Sequence, residues 1–405
     1  MISCNVRLME EIFSDNNNMK IIYMRRVMER ATTTDAERIG WLMRMAFGMT
    51  EARTREYLDH IGTDSFLVLR SGKEVSACAA LLPTRHRFGG GWVRAANIAH
   101  VAIAPEARGG GLARPLVNGL ANVARENGAA MVTLFASARP VYRKCGFELA
   151  GSEIVYEAET QALPLRTDLA FASVALDDPR LREAYDAKTI SEAGLLDRTQ
   201  AHWHEIIREP RDGLSAFVIG EGPLSAYVIL DASDPGLLTV RDWCASTGRE
   251  AAALLAFLGR FRSVYPLVRW HGGPHDDLVA AMPDKGWRLA HQEDWLARIL
   301  DPKAALEARG YLVREAVLNL HIADEAGDNS AIALEIAGEK ARVRNGSLSG
   351  APSLTITLPF FASLFTGYRS ASHLRRQGHL ETDEEGARLA DLVFAGPPPW
   401  LAEHV

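Results

Sequence analysis

Apolar and polar positions alternate along this chain in short, strongly patterned segments. Between residues 29 and 50, Ile39, Leu42, Met43 and Phe47 recur at helical spacing behind Thr34, a capping type, so a loop followed by a helix is predicted. The apolar runs Phe66-Leu67-Val68-Leu69 and Val75-Ser76-Ala77-Cys78-Ala79-Ala80 flank Ser71-Gly72-Lys73 and read as a hairpin. Gly89-Gly90-Gly91 marks another turn, and residues 97–104 form an apolar run closed by Pro105. After a glycine-rich stretch, Leu112, Leu116, Leu120 and Val123 fall on one face of a helix that ends near Asn127-Gly128. Residues 130–136 predict a buried strand. Arg139-Pro140-Val141-Tyr142 opens a short helix that stops at Gly146.

The later chain repeats the mixture. Helices are predicted over residues 181–193 and 251–262, and strands over 216–219 and 226–230. From residue 310 the character changes. Ile332, Leu334 and Ile336 alternate with polar positions, as do Leu354, Ile356 and Leu358, around a turn at Gly338-Glu339-Lys340. Thr382 with Glu385 reads as a capping box for a last helix whose buried face is Leu389, Leu392 and Val393. The tail from Gly396 is proline-rich and non-helical, with Trp400 as an anchor. Strand, glycine turn, helix and strand in succession is α/β logic.

Composition narrows the class. At roughly 150 residues per domain, 405 residues favour two to three domains. Apolar residues at 47% and charged residues at 24% exclude a disordered, collagen-like or disulfide-dense chain. A net charge of −6 lacks the positive field of a nucleic-acid binder. Cys4, Cys78, Cys145 and Cys244 are scattered, with no C-x-x-C, and read as reduced cytoplasmic thiols. No apolar run reaches the ~18 residues of a membrane span. Residues 1–25 carry acidic residues and Asn17-Asn18 where a signal peptide needs an apolar stretch. They are expected to be a floppy leader or an upstream start, with Met19 and Met24 as alternative starts.

The candidate chemistry begins at the glycine turn. Free amides at a helix N-terminus bind anions, glycines let phosphates approach, and Arg108 adds a charged donor. Neither a P-loop nor G-x-G-x-x-G is present, since position 114 is Arg. Val101-Ala102-Ile103-Ala104-Pro105-Glu106-Ala107-Arg108-Gly109-Gly110-Gly111-Leu112-Ala113 resembles the acetyl-coenzyme A loop of the GNAT acyltransferase superfamily, with Pro115 as a tolerable departure in the first helical turn. Phe135-Ala136-Ser137-Ala138-Arg139-Pro140-Val141-Tyr142-Arg143-Lys144-Cys145-Gly146-Phe147 resembles the second half of the site in the Eis-like (enhanced intracellular survival) branch. Residues 295–311 look like that branch's junction into its C-terminal domain.

The resemblance implies an α/β (α+β) protein. Tandem GNAT folds, each a mixed sheet flanked by helices, precede a sterol-carrier-like α+β domain. Expected boundaries are 26–163 for the catalytic unit, 164–300 for a degenerate copy without the R-x-x-G-x-G/A cradle, and 301–405 for the sterol-carrier-like unit and tail. It implies acetyl-CoA as co-substrate, a primary amine acceptor on a small molecule (aminoglycoside- or polyamine-like) or a peptide, and a homo-hexamer.

Implied cofactor contacts are Val101, Ala102 and Ile103 for the pantetheine arm, Arg108, Gly109, Gly110, Gly111, Leu112 and Ala113 for the pyrophosphate, and Ser137 near the reactive end. Tyr142 is the expected general acid, protonated at neutral pH. The base is open between the terminal carboxylate of Val405, Glu403, His404 and His100. His100 is equally an ordinary strand histidine, and Ser137 equally structural. No metal is expected, since His202, His204, His271, His275 and His291 have no carboxylate or Cys at ligand spacing. Phe360, Phe361, Phe365 and Tyr368 form a core or line a lipid tunnel. Glu37, Glu51, Glu56, Asp59 and Asp64 suggest an acidic cleft wall. The rival functions are a lipid-binding protein with a relic loop and a protein-lysine acetyltransferase.

Overall fold

The computed structural model describes residues 26–208, 213–323, 329–338 and 340–403. The expected leader over 1–25, His404 and Val405 lie outside the described residues. The first unit runs β1 (Arg26–Arg30), α1 (Ala36–Phe47), α2 (Glu51–Ile61), β2 (Phe66–Ser71), β3 (Glu74–Phe88), β4 (Gly91–Ile103), α3 (Ala113–Glu126), β5 (Met131–Phe135), α4 (Arg139–Arg143) and β6 (Glu148–Glu159). The apolar spacing predicted α1, which buries Ile39, Leu42 and Met43. It did not predict α2. That helix, EARTREYLDHI, buries only Thr54, Tyr57 and Leu58, too narrow a stripe to register as periodicity.

The second unit runs β7 (Ala172–Val174), α5 (Pro179–Thr189), α6 (Gln200–Ile206), β8 (Leu214–Ile219), β9 (Ala226–Asp234), β10 (Leu237–Ala245), α7 (Gly248–Gly259), β11 (Leu267–Gly272), α8 (Asp277–Ala280) and β12 (Trp287–Ile299). All twelve strands form one sheet, ordered β1-β2-β3-β4-β5-β12-β6-β11-β10-β9-β8-β7. The two units exchange strands. β12 sits between β5 and β6, pairing Trp295 with Phe135 and Glu293 with Glu153, while β6 sits between β12 and β11. Residues 194–197 also bond along β3, through Arg87 N to Leu195 O at 2.9 Å and Gly194 N to Arg87 O at 2.7 Å.

The third unit comprises α9 (Pro302–Ala308), β13 (Glu315–Ala323), β14 (Asn329–Ala337), β15 (Lys340–Asn345), β16 (Ser353–Thr357), α10 (Leu358–Thr366), α11 (Ala371–Arg376), β17 (Leu380–Glu381) and α12 (Glu384–Val393). Its sheet is ordered β15-β14-β13-β16-β17. The aromatic run lies in α10 and is core. Phe361 and Phe365 are fully buried, Phe365 meets Phe88 at 5.5 Å between rings, and Ser363 donates to the Leu149 carbonyl of β6. The cap of α12 is Asp383, accepting from Gly386 N at 2.7 Å, whereas Thr382 donates to Ser353 O at 2.8 Å, so the predicted capping box does not form. Gly89, at φ 55, and Gly310 bring backbones so close that a Cβ on either would strike the other's backbone. Beside them the fully buried Arg309 guanidinium donates to the carbonyls of Phe365 and Phe394 at the ends of α10 and α12, where a cation is favoured. No described helix is long and apolar enough to cross a membrane.

One buried carboxyl makes stability depend on pH. Asp276 caps α8 by accepting from Val279 N at 2.8 Å, and it also accepts from Trp270 Nε1 at 3.1 Å. Burial pushes its pKa from 3.8 up to about 6. The folded chain therefore holds a proton that the unfolded chain has lost between those values, and stability falls as pH rises through this window. Asp276→Asn keeps both acceptor bonds and removes the buried charge. Urea unfolding should find this variant more stable at neutral pH by about 1–3 kcal/mol, with the gap closed below the unfolded pKa.

Candidate active site

The site begins where the sheet opens. β4 and β5 run parallel and pair only at Ala95–Met131, Ala96–Val132 and Asn97–Thr133. Beyond Asn97 they diverge, and β5 pairs with no residue of 98–103, an edge that an extended ligand arm can join. Against β3, Cys78 pairs with Ala102 and Ala80 with Ala99, so Ala79 alone faces both His100 and Val101. This β-bulge holds His100 at φ 54, the one positive φ of a non-glycine residue among those described. The bulge interrupts the alternation, so that Ala99 and His100 share one face and Val101 returns to the other. Val101 and Ile103 pack with Leu112, Leu116 and Tyr142. The His100 ring lies against Tyr57 at 4.5 Å and Phe47 at 5.3 Å.

The glycine loop leads into α3. Gly109 and Gly111 take φ 79 and 71, and the loop is exposed from Arg108 to Gly111. Among the described residues, the amides of Gly109, Gly111 and Leu112 have no protein acceptor. The α3 N-terminus has no capping side chain of its own. Leu112 occupies the N-cap, and the first turn contains no acidic residue but does contain Arg114. Free amides, the positive end of a fourteen-residue helix and added arginine favour an anion from outside the chain. The donor set fits a pyrophosphate, and the open β4 edge fits a pantetheine arm.

Tyr142, in α4, is buried, with its ring edge-on to Phe147 at 6.3 Å. Burial raises its pKa above the usual 10, against a lowering hydrogen bond from Ser137. Ser137, itself exposed, thus touches the phenol.

On the His100 face lies a cavity of about 550 Å³ between the two GNAT-like units. Tyr57, His60 and Arg53 of α2 form one wall. Arg198, His202 and Glu205 form the other, with Glu153 of β6, His271 of β11, Arg241 of β10, and Ala402 and Glu403 of the tail. The walls are clamped together by Arg53 to Glu205, by His204 to Glu56 at 3.3 Å, and by a His60–His204 stack at 3.8 Å between rings. His202 Nδ1 accepts from Thr199 N at 3.0 Å, an α6 cap, and burial lowers its pKa. The buried polar atoms of this lining without a hydrogen-bond partner among the described residues include His202 Nε2 and Glu403 Oε2.

The sequence-predicted residues thus separate into two sets. Residues 101–113, Ser137 and Tyr142 gather around the β4–β5 opening. His100 and Glu403 line the cavity, and Tyr142 does not. The acidic wall expected from Glu37, Glu51, Glu56, Asp59 and Asp64 is not part of the lining, which instead sets Glu153, Glu205 and Glu403 against Arg53, Arg198, Arg208 and Arg241. Sequence reasoning missed Arg198, Glu153 and Arg241, because no local pattern marks residues that meet only through strand exchange. It also missed a cross-strand group. The donor atoms of Glu153, His291 and Glu293 lie within 4.8 Å of one another, with His271 Nδ1 3.3 Å from Glu153.

Acetyltransferase (GNAT) domain families match residues 28–150 and 194–299, and the sterol carrier protein domain family matches residues 302–402. An uncharacterized N-acetyltransferase of Streptomyces griseus is 26% identical, over 92% of this chain and 98% of that protein. The N-acetyltransferase Eis of Mycobacterium tuberculosis is 27% identical, over 84% of this chain and 89% of that protein. Among solved structures, a GCN5-related N-acetyltransferase from Anabaena variabilis superposes with a TM-score of 0.88 at 29% identity, over 94% of this chain and 100% of the other. Eis1 from Mycobacterium abscessus shares the fold, with a TM-score of 0.75 at 20% identity over 94% and 100% of the two chains.

Proposed function

This chain is an Eis-like GNAT N-acetyltransferase with a C-terminal sterol-carrier domain, and we propose that it moves the acetyl group of acetyl-CoA directly to a primary amine seated in the interdomain cavity. The observation that carries this reading is the uncapped α3 N-terminus beside the β4 edge that diverges from β5, one residue from a cavity of about 550 Å³. That volume lies in the range of small-molecule sites, which favours a small amine over a protein acceptor. Phe361 and Phe365, candidates to line a lipid tunnel, are instead fully buried in the core.

Acetyl-CoA, when bound, supplies the thioester. The chain's residues do the rest. The free amides of Gly109, Gly111 and Leu112, with Arg108 beside them, would hold the pyrophosphate, and the β4 edge at Val101 and Ile103 would align the arm. A backbone N–H near Val101 polarises the acetyl carbonyl as the amine nitrogen bonds to it. The base takes one proton from that nitrogen, and Tyr142 gives one to the departing sulfur as the carbon–sulfur bond breaks. Among the base candidates, Glu403 and His100 line the cavity, and the Val405 carboxylate lies two residues beyond Glu403. We place the working particle in the cytoplasm as a homo-hexamer, a reading supported by the Eis resemblance.

Coenzyme A release, read with a thiol dye across aminoglycosides, polyamines and lysine peptides, tests the proposal. Cys78, Cys145 and Cys244 are buried, and burial pushes the thiols of Cys78 and Cys244 up to about 12 and about 11, so the dye should read coenzyme A rather than these cysteines. Tyr142→Phe should lower kcat by ~100-fold or more while acetyl-CoA affinity stays within about twofold. Because Tyr142 is raised above 10, its alkaline limb in the wild-type pH–rate profile should lie above that value. Gly111→Asp places a carboxylate where the phosphates would sit. Calorimetry should show acetyl-CoA binding weakened roughly tenfold, the scale of a misplaced charge at a helix N-terminus. Amine-independent behaviour of the wild type, with acetyl-CoA bound, would overturn the acceptor assignment.

A further inference from the structure

The chain's last described residues return from the sterol-carrier unit into the strand-exchange region. Trp400 N donates to Ala193 O at 3.0 Å, Ser152 N to Pro399 O at 3.1 Å, and Leu401 N to Ser152 O at 3.0 Å. The Trp400 ring is buried, with Nε1 donating to Glu192 at 2.9 Å. These contacts hold the tail as far as Leu401. Glu403, in the cavity, has a separate anchor.

That anchor is Arg198, in the connection between α5 and α6. Its side chain is 2% exposed. Its fork meets Asp242 of β10 at 2.6 and 3.0 Å, and its Nε meets Glu403 at 2.5 Å. Tyr227 donates to the same Asp242 at 2.6 Å, and the guanidinium lies 3.6 Å over the Tyr185 ring. Asp242 and Tyr227 thus fix the arginine independently of the tail, leaving one donor edge directed at Glu403. The cluster sets one guanidinium against two carboxyl groups. Glu403 is 9% exposed on its side chain, and its Oε2 has no protein partner among the described residues. The other cavity cations are engaged elsewhere, Arg53 and Arg208 with Glu205, and Arg241 with Asp231 and the Glu205 carbonyl.

We propose that Arg198 is a positioning residue. It seats Glu403 in the acceptor cavity, against a socket built by the second GNAT-like unit. The inference rests on the acetyl-transfer reading of the cavity. It assigns a task to a unit without a phosphate loop: its β9 and β10 supply Tyr227 and Asp242, which orient the arginine. The acceptor's amine then meets a carboxyl oxygen that Arg198 holds in place but does not itself saturate. A lysine at 198 presents a point charge without the fork and cannot serve Asp242 and Glu403 in the same geometry.

Two variants of the full-length chain test this, Arg198→Lys and Glu403→Gln, with Glu403→Asp as the conservative rescue. Hydrogen exchange of the C-terminal peptide reports docking, and exchange of the β9 peptide reports the fold. Steady-state kinetics with acetyl-CoA and spermine as probe amine report function. Losing a buried charge partner should speed tail exchange roughly tenfold or more in both variants, with β9 unchanged. The same variants should lose roughly tenfold or more in kcat with spermine, with the KM for acetyl-CoA within about twofold and part of the loss restored in Glu403→Asp. Should Arg198→Lys fail to fold, Glu403→Gln carries the test, since it leaves the Arg198–Asp242 pair intact. Unchanged tail exchange, or faster exchange with unchanged spermine kinetics, would overturn the inference while leaving acetyl transfer standing. A wild type that acetylates no amine, yet whose tail exchange responds to both variants, would uphold Arg198 as the tail's anchor and place the fault in the acetyl-transfer reading.

Discussion

The exchange of β6 and β12 is the constraint on which the rest of this structure depends. Each strand is buried in the sheet of the other unit, and β6 pairs on both sides with strands of the second unit. Backbone hydrogen bonds inside a sheet cannot be given up without leaving buried polar groups unpaired. The two GNAT-like units are therefore fixed at one mutual orientation, and the cavity between α2 and α6 has a defined width. The covering helix α10 packs on the same two strands, so the third unit is locked to the exchange as well. Its aromatic run is spent on that contact.

A second consequence lies at β4. With β12 on its far side, β5 is paired on that edge from Met131 to Phe135, whereas its β4-facing edge pairs only as far as Thr133. The divergence of β4 from β5 is then affordable in hydrogen bonds only if something else joins the free edge. The bulge at His100 and Val101 concentrates the strain at that edge, and the helix that follows offers amides without a cap. Opening, bulge and bare helix end are three local costs at one place, the pattern expected of a binding site rather than of a stability feature.

The second unit retains the fold without the glycine loop, and its polar groups face the cavity instead. Asp242, Tyr227 and Arg198 form a network whose members satisfy one another, and the tail is held where that network has a donor to spare. Clamping pairs on the outer rim, Arg53 with Glu205 and His204 with Glu56, join helices from different units, so the cavity wall is shared rather than owned by either.

Much of this was legible in the residues themselves. The hairpin of β2 and β3, the apolar face of α3, the glycine loop with Arg108 and the Tyr142 segment all declare themselves locally, because their chemistry depends on neighbours a few positions away. The charged α2 did not, since its buried stripe is three residues wide, and the Thr382 capping box lost to Asp383 because Thr382 has a better acceptor in Ser353 across the sheet. The sequence by itself determined the run of amides, glycine φ freedom and helix end of the proposed phosphate site, because these are set by residues consecutive in the chain. Only the tertiary structure decided what the cavity contains. Arg198, Arg241, Glu153 and Glu403 come from four separate segments, and strand exchange, a long-range backbone pairing that leaves no periodic trace in the residues, is what brings them together.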